Sequence, residues 1–418
     1  MDEVFTGRAA VIGLGYIGLP TAVSLATRGI EVVGVDVNER TVESISRGEV
    51  PFVEPELAVG VSGAVSMGRL EASTKTPEAD AFIIAVPTPF LDDHTADLTF
   101  VRSAVEQIAP RLNGGEVVIL ESTSPPGTTE TLSTWLAELR PDLVAPHTSE
   151  GVPDFYVAHC PERVLPGRIM IEMVTNDRVI GGVTTRCAQK AAEVYRVFSQ
   201  GQMVLTDAAS AEMAKLVENA YRDVNIAFAN ELSLISEELQ LDVWEVIKVA
   251  NHHPRVNILT PGPGVGGHCI AVDPWFIVGA APALSRLIRV AREINDEKPH
   301  HVAAQIVRKT ERFRTPTVAC LGLTYKANVD DFRESPALDI VVDIAKALPD
   351  LDLRVAEPFA TTLPEELSGF SHVRLQRATE AIEDADIVVL LVDHDHFRSL
   401  SRSRLEGKVV YDTRGLWR

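Results

Sequence analysis

A chain of 418 residues is longer than one hydrophobic core usually organises, so two or three domains are expected. With 45% hydrophobic and 23% charged residues it is not a disordered chain, and a formal net charge of −20 argues against non-specific nucleic-acid binding. There is no apolar run of about 18 residues, no basic start with an apolar leader, and no CxxC spacing among the four cysteines; a cytoplasmic protein with reduced thiols and no membrane span is expected.

The stretch "RAAVIGLGYIGLPTAVSLATRGIEVVGVDVN", residues 8–38, runs as apolar strand, glycine turn, small-residue helix, second apolar strand and terminal acid. That order is a βαβ unit. Gly13, Gly15 and Gly18 fill a GxGxxG pattern, with Tyr16 and Ile17 inside it. The first glycine permits the tight turn, the second admits a pyrophosphate, and the third lets the helix pack on the strand. Asp36 stands where a carboxylate would accept from the adenosine ribose and repel a 2′-phosphate, which favours NAD over NADP; Arg40 follows as a further cofactor contact. Two more strands, "AFIIAVPTPF" (81–90) and "EVVILESTSPPGTT" (116–129), end in small hydroxyl residues. Pro87, Thr88 and Thr123 are therefore candidates to line the nicotinamide side, and residues 1–200 form the expected NAD-binding domain.

From Asp207 to Leu241 the chain lacks glycine and proline and repeats apolar residues at helical spacing, predicting one long helix. Lys215 and Asn219 stand at i and i+4, one turn apart on one face. The loop "PGPGVGGHCIAVDPW" (261–275) follows, then a second helical segment at 283–309. Lying between two helices, this loop is not a second dinucleotide turn. His268 and Cys269 are adjacent, so their side chains point apart, and no second close pair completes a metal tetrahedron. Cys269 remains either a nucleophile near a helix start, where the dipole favours a thiolate, or a small buried thiol. Residues 201–310 make a helical region.

The last segment, 311–418, reads as a second doubly wound domain. Its first turn carries Lys326, Asp331 and Arg333 instead of GxGxxG. Two cations at the head of a helix suit a phosphate-bearing ligand, or else form an Arg–Asp surface network.

Seven motifs in order resemble the UDP-glucose/GDP-mannose dehydrogenase family: GLGYIG (13–18), AVPTP (85–89), ESTSPPGTT (121–129), CPERVLPG (160–167), KLVENAYRDVNIAFANEL (215–232), GVGGHCIAVDP (264–274) and YKANVDDFRESP (325–336). The resemblance covers essentially the whole chain. It implies an α/β fold of two Rossmann-like doubly wound parallel-sheet domains joined by a long central helix and a helical dimerisation region. It implies NAD as cofactor, a UDP-sugar as substrate, and oxidation of an alcohol to a carboxylate by two hydride transfers.

Residue by residue, the resemblance assigns Cys269 to thiohemiacetal and thioester formation and Lys215 to the developing oxyanion. Asn219 would bond sugar or water, Asp273 would hold the water, and Glu162 would serve as base for thioester hydrolysis. Arg163 and Val164, Gly266, Tyr325 and Lys326 fall on the sugar-nucleotide side, and Arg333 on the NAD pyrophosphate. Arg255, with His253, would reach the sugar of a neighbouring subunit, which makes the enzyme at least a homodimer. Arg163 and Tyr325 depart from the phenylalanines common in relatives. Members that take UDP-glucose typically read GFGGSCF at the cysteine, whereas His268 and Ile270 here point to an N-acetylated sugar, for surface polysaccharide synthesis. UDP-GlcNAc and UDP-glucose remain alternatives, as does a catalytically silent sugar-nucleotide-binding protein on the same scaffold.

Overall fold

The computed structural model describes residues 4–52, 54, 56–91, 95–165, 167–267 and 269–418. The chain forms two compact units, Met1–Val217 and Glu218–Arg418.

The first unit is built on eight strands: β1 (Ala9–Ile12), β2 (Val32–Val35), β3 (Leu70–Ser73), β4 (Ala81–Ile84), β5 (Val117–Leu120), β6 (Tyr156–His159), β7 (Arg178–Gly182) and β8 (Met203–Asp207). Their spatial order is β3-β2-β1-β4-β5-β6-β7-β8. All pairs are parallel except β6–β7. Strands such as AAVI, AFII and VVIL are buried at every position because helices cover both faces, which is why they read as unbroken apolar runs. One core lies on each face: Leu19, Val23 and Ile83 belong to one, Phe82, Val105 and Leu136 to the other. The strand order reverses between β1 and β4, and their carboxyl ends open the crevice where such sheets bind ligands.

The second unit carries five parallel strands, β9 (Thr317–Leu321), β10 (Asp352–Ala356), β11 (Val373–Leu375), β12 (Ile387–Leu390) and β13 (Val409–Asp412), in the order β11-β10-β9-β12-β13. The two Rossmann-like sheets are those expected. The strand foreseen over 81–90 stops at Ile84, since Pro87 and Pro89 have no N–H to give a ladder. The long helix runs Ala208–Glu238, with the Asp207 carboxylate accepting from Ser210 N at 2.8 Å at its start. The second helix spans Arg286–Thr310. Among the described residues no helix is long and apolar enough to cross a membrane.

Candidate functional site

At the first turn the three glycines have different surroundings. Gly13 has φ +94°, and a Cβ there would lie 2.6 Å from the Ala85 carbonyl. At Gly18 a Cβ would lie 1.9 Å from the Gly13 carbonyl, whereas one at Gly15 meets nothing within 4 Å. The backbone is thus tight at both ends and open in the middle, at the head of the helix Gly18–Ala26, whose N-cap Ile17 gives no side-chain cap. Uncapped N–H groups beside an open glycine form a cradle for a pyrophosphate. Asp36 is fixed at the end of β2, its Oδ2 accepting from Leu14 N and its Oδ1 from Asn38 N, both at 2.9 Å. Tyr16 stacks on Phe52 with centroids 4.2 Å apart. Arg40 is exposed, and its N–H donates to the Asn38 side chain at 3.0 Å. Across the crevice the Thr88 hydroxyl donates to the Thr123 carbonyl at 2.5 Å, tying the β4 and β5 ends together beside exposed Pro87. These groups fit a bound dinucleotide.

Beneath this edge lies a cluster that sequence reading only half saw. Glu162 is buried, one oxygen accepting from Arg178 Nη1 at 3.1 Å and the other from Arg163 N at 2.7 Å. The Arg163 guanidinium donates to the Asp177 carbonyl at 3.2 Å, and Val164 packs against the core. Glu121, at the end of β5, accepts from the Thr21 hydroxyl at 3.0 Å and the Tyr195 hydroxyl at 3.2 Å. Burial and then the Glu162 charge push the Glu121 carboxyl up to about 8 from an ordinary 4.5. Between those values the unfolded chain has released a proton that the folded chain keeps, so stability falls as pH rises from about 4.5 to about 8. Glu121→Gln removes that titration. Its melting temperature should exceed that of the wild type by a few degrees at pH 8, with the gap closing toward pH 5; calorimetry at the two pH values checks this.

Two other buried carboxylates hold loops in this unit. Glu212 on the central helix accepts from Gly127 N at 2.6 Å and Thr129 N at 2.7 Å, capping the helix Thr128–Leu139. Glu54 accepts from Gly167 N and Ile169 N at 2.9 and 3.0 Å, and so anchors the end of the CPERVLPG loop. Lys215 is half-buried on the same central helix, one turn before Asn219.

In the second unit Cys269 is exposed, while Cys320 is buried. The Cys269 carbonyl accepts from Val272 N at 3.1 Å and Asp273 N at 2.8 Å, so the cysteine forms the turn that opens the helix Asp273–Ala280. The Asp273 carboxylate is buried and accepts from Asn219 Nδ2 at 2.5 Å, which brings these two predicted residues together. His268 lies outside the described residues.

The loop glycines here serve protein packing. A Cβ at Gly266 would lie 2.2 Å from the Glu334 carbonyl and 2.9 Å from Tyr325 Cβ. At Gly267, with φ +83°, it would lie 2.9 Å from the Tyr325 ring. The cysteine loop therefore rests on the turn that carries Tyr325 and Lys326. Lys326 is exposed, and its carbonyl accepts from Thr324 Oγ1 at 3.0 Å. Arg333 makes a fork onto Asp331 at 2.8 and 2.7 Å. That turn is shaped from below: Glu357 accepts from Leu323 N at 2.7 Å, and His394 Nδ1 accepts from Asn328 N at 3.0 Å. His253 and Arg255 are exposed after the helix Val243–Ala250, linked by Arg255 N donating to His253 Nδ1 at 3.4 Å.

Three family models match in order: the UDP-glucose/GDP-mannose dehydrogenase NAD binding domain at residues 7–199, the central domain at 209–297, and the UDP binding domain at 319–418. The chain belongs to the UDP-glucose/GDP-mannose dehydrogenase family. It is an NAD-dependent sugar-nucleotide dehydrogenase. It is 56% identical over 408 residues to an NDP-N-acetyl-D-galactosaminuronic acid dehydrogenase of Ralstonia nicotianae, covering 98% of this chain and 96% of the relative. It is 52% identical over 417 residues to the UDP-N-acetyl-D-mannosamine dehydrogenase of Escherichia coli, covering 98% and 99%. Among solved structures, the UDP-D-ManNAc dehydrogenase of Pyrococcus horikoshii superposes with a TM-score of 0.87 at 38% identity, covering 98% of this chain and 96% of that one.

Proposed function

We propose that this enzyme oxidises the C6 hydroxyl of UDP-N-acetyl-D-mannosamine to the uronate, in the cytoplasm, for surface polysaccharide synthesis. The observation that carries the chemistry is the turn at Cys269: an exposed thiol at a helix start, with the Asn219–Asp273 pair at that same helix. NAD, when bound, supplies the hydride acceptor for each of two oxidations. Gly15, the head of the helix Gly18–Ala26, and Asp36 would hold it, with Tyr16, Ile17, Arg40, Pro87, Thr88 and Thr123 around it and Arg333 on the pyrophosphate.

The protein's own part is covalent. The Cys269 thiolate adds to the C6 aldehyde, giving a thiohemiacetal; oxidation of that adduct leaves a thioester, and water cleaves it to the carboxylate and the thiol. One alcohol and one water thus yield one carboxylate, two reduced cofactors and three protons. Lys215 stabilises the oxyanion, Asp273 holds the water with Asn219, and Glu162 takes its proton. Arg163, Val164, Tyr325 and Lys326 frame the sugar nucleotide, and Gly266 serves the site by letting the cysteine loop pack on Tyr325. The three segments 1–200, 201–310 and 311–418 divide these tasks.

We assign the working unit as a homodimer in which Arg255 of the partner subunit, with His253 of the partner subunit, completes the site. Tyr221, Phe228 and Ile235 support this reading. They recur every seven residues on the central helix and are 71%, 51% and 48% exposed, an apolar stripe that water alone covers poorly.

A second substrate is favoured by the Ralstonia relative, whose name carries the galacto isomer. The test is NADH formation with UDP-ManNAc, UDP-GalNAc, UDP-GlcNAc and UDP-glucose in parallel. The expected result is the highest kcat/KM with UDP-ManNAc and two NADH per sugar. A preference for UDP-GalNAc would move the assignment to that isomer, one for UDP-glucose would remove the N-acetyl reading, and binding without NADH from any of them would make the chain a non-catalytic binding protein.

A further inference from the structure

Behind the cysteine turn lies a buried polar network that none of the roles above uses. Asp223 stands on the central helix one turn beyond Asn219, and Asn230 two turns beyond that. Arg292 and Asn295 face them from the helix Arg286–Thr310. All four side chains belong to fully buried residues. Arg292 Nη1 donates to Asp223 Oδ1 and to the Ile270 carbonyl, the latter at 3.3 Å; its Nη2 donates to Asp296 at 2.5 Å. Asn295 Nδ2 donates to Asp223 Oδ1 at 2.8 Å and to the Asp223 carbonyl at 3.1 Å, while its Oδ1 accepts from Asn230 Nδ2 at 2.8 Å. Asn230 Oδ1 in turn accepts from Gly262 N at 2.9 Å.

One connected network therefore grips the loop at two points, Gly262 N at its start and Ile270 O just past the cysteine. Glycine-rich loops are costly to order, and buried ion pairs are poor sources of net stability because desolvation offsets their attraction. What such a network does provide is a single arrangement of the parts it joins. We propose that Asp223, Asn230, Arg292 and Asn295 are positioning residues that set the place of the Cys269 thiol by fixing both ends of its loop. The inference rests on the reading of Cys269 as nucleophile.

Arg292→Lys separates this role from support of the fold. The ammonium keeps a cation against Asp223 but lacks the planar fork that also reaches Ile270 and Asp296. In the full-length enzyme it should bind NAD as the wild type does and keep KM within about threefold, while kcat falls by roughly tenfold to a hundredfold, the scale of a misplaced reacting group. Iodoacetamide reads the thiol directly, since Cys160, Cys187 and Cys320 are buried. Its rate with Cys269, followed against pH, should differ from wild type by about threefold or more. Asn230→Ala, which leaves the Arg292–Asp223 pair intact and releases Gly262, should move the same readouts and serves if the lysine variant does not fold. Wild-type alkylation rates and pH profiles in the folded variants would overturn the proposal. Altered alkylation with unchanged turnover would leave the positioning role standing and sink the nucleophile reading instead.

Discussion

Cys269→Ser is expected to lower uronate formation by about a thousandfold or more while NAD binding persists, as the loss of a covalent nucleophile does elsewhere. Serine matches cysteine in shape, so the turn, in which the Cys269 carbonyl accepts from Val272 N and Asp273 N, keeps its geometry. A hydroxyl ionises far less readily than a thiol, and an alkoxide leaves an ester more slowly than a thiolate leaves a thioester. No other cysteine can take over: burial pushes the Cys160 and Cys320 thiols up to about 12, and Cys187 is buried. The wild type should give two NADH per uronate. The serine variant should give at most the first oxidation, seen as aldehyde trapped by an amine and no more than one NADH per sugar. Uronate at the wild-type rate would sink covalent catalysis. Isothermal titration with NAD checks that the cradle at Gly15 is intact.

The sequence was most legible where a residue's type is dictated by local geometry. Gly13 and Gly18 have no room for a Cβ, and Asp36 at the end of β2 accepts from Leu14 N, so the tight turn between strand and helix could be read from spacing alone. The Asn219–Asp273 contact was partly legible: each residue drew notice, but their meeting depends on how the cysteine helix packs on the central one. Gly266, which the resemblance puts on the sugar-nucleotide side, is crowded by the Glu334 carbonyl and Tyr325, and Gly267 by the Tyr325 ring. Spacing cannot tell a ligand's approach from a ring's. Glu121, Asp223 and Arg292 escaped notice because their partners lie far along the chain, and Arg178 because a loop and the helix Ile169–Thr175 separate it from Glu162. A signal for two of them was present: Glu121 ends the apolar run VVILE and Arg178 begins RVIGG, and a charge abutting a buried strand must find a partner.

That rule makes Arg178→Met the other large effect. The guanidinium is 4% exposed, donates to Glu162 at 3.1 Å and to the Met173 carbonyl at 3.2 Å, and lies 4.8 Å from the Tyr195 ring centroid and 5.1 Å from that of Phe198. Burial opposes its charge and is the largest single effect, but the acidic groups around it, Glu162 first, together outweigh burial and its pKa is raised. Methionine would fill much of the space between the rings and take the Arg178 cation away from two carboxyl groups. Breaking a buried pair from one side costs about 3–5 kcal/mol. For a unit of 217 residues that is a fall in melting temperature of roughly 10 °C. The loss should deepen with pH. Arg178 holds the Glu121 pKa down, so its removal carries that carboxyl beyond about 8 and extends the range over which the folded chain retains a proton the unfolded chain has released. The variant should therefore lie further below wild type at pH 9 than at pH 6. Adding Glu162→Gln should return part of the stability, since one uncompensated carboxylate then disappears. Equal losses in the single and double variants would assign the work of Arg178 to its two rings and the Met173 carbonyl, and not to its charge.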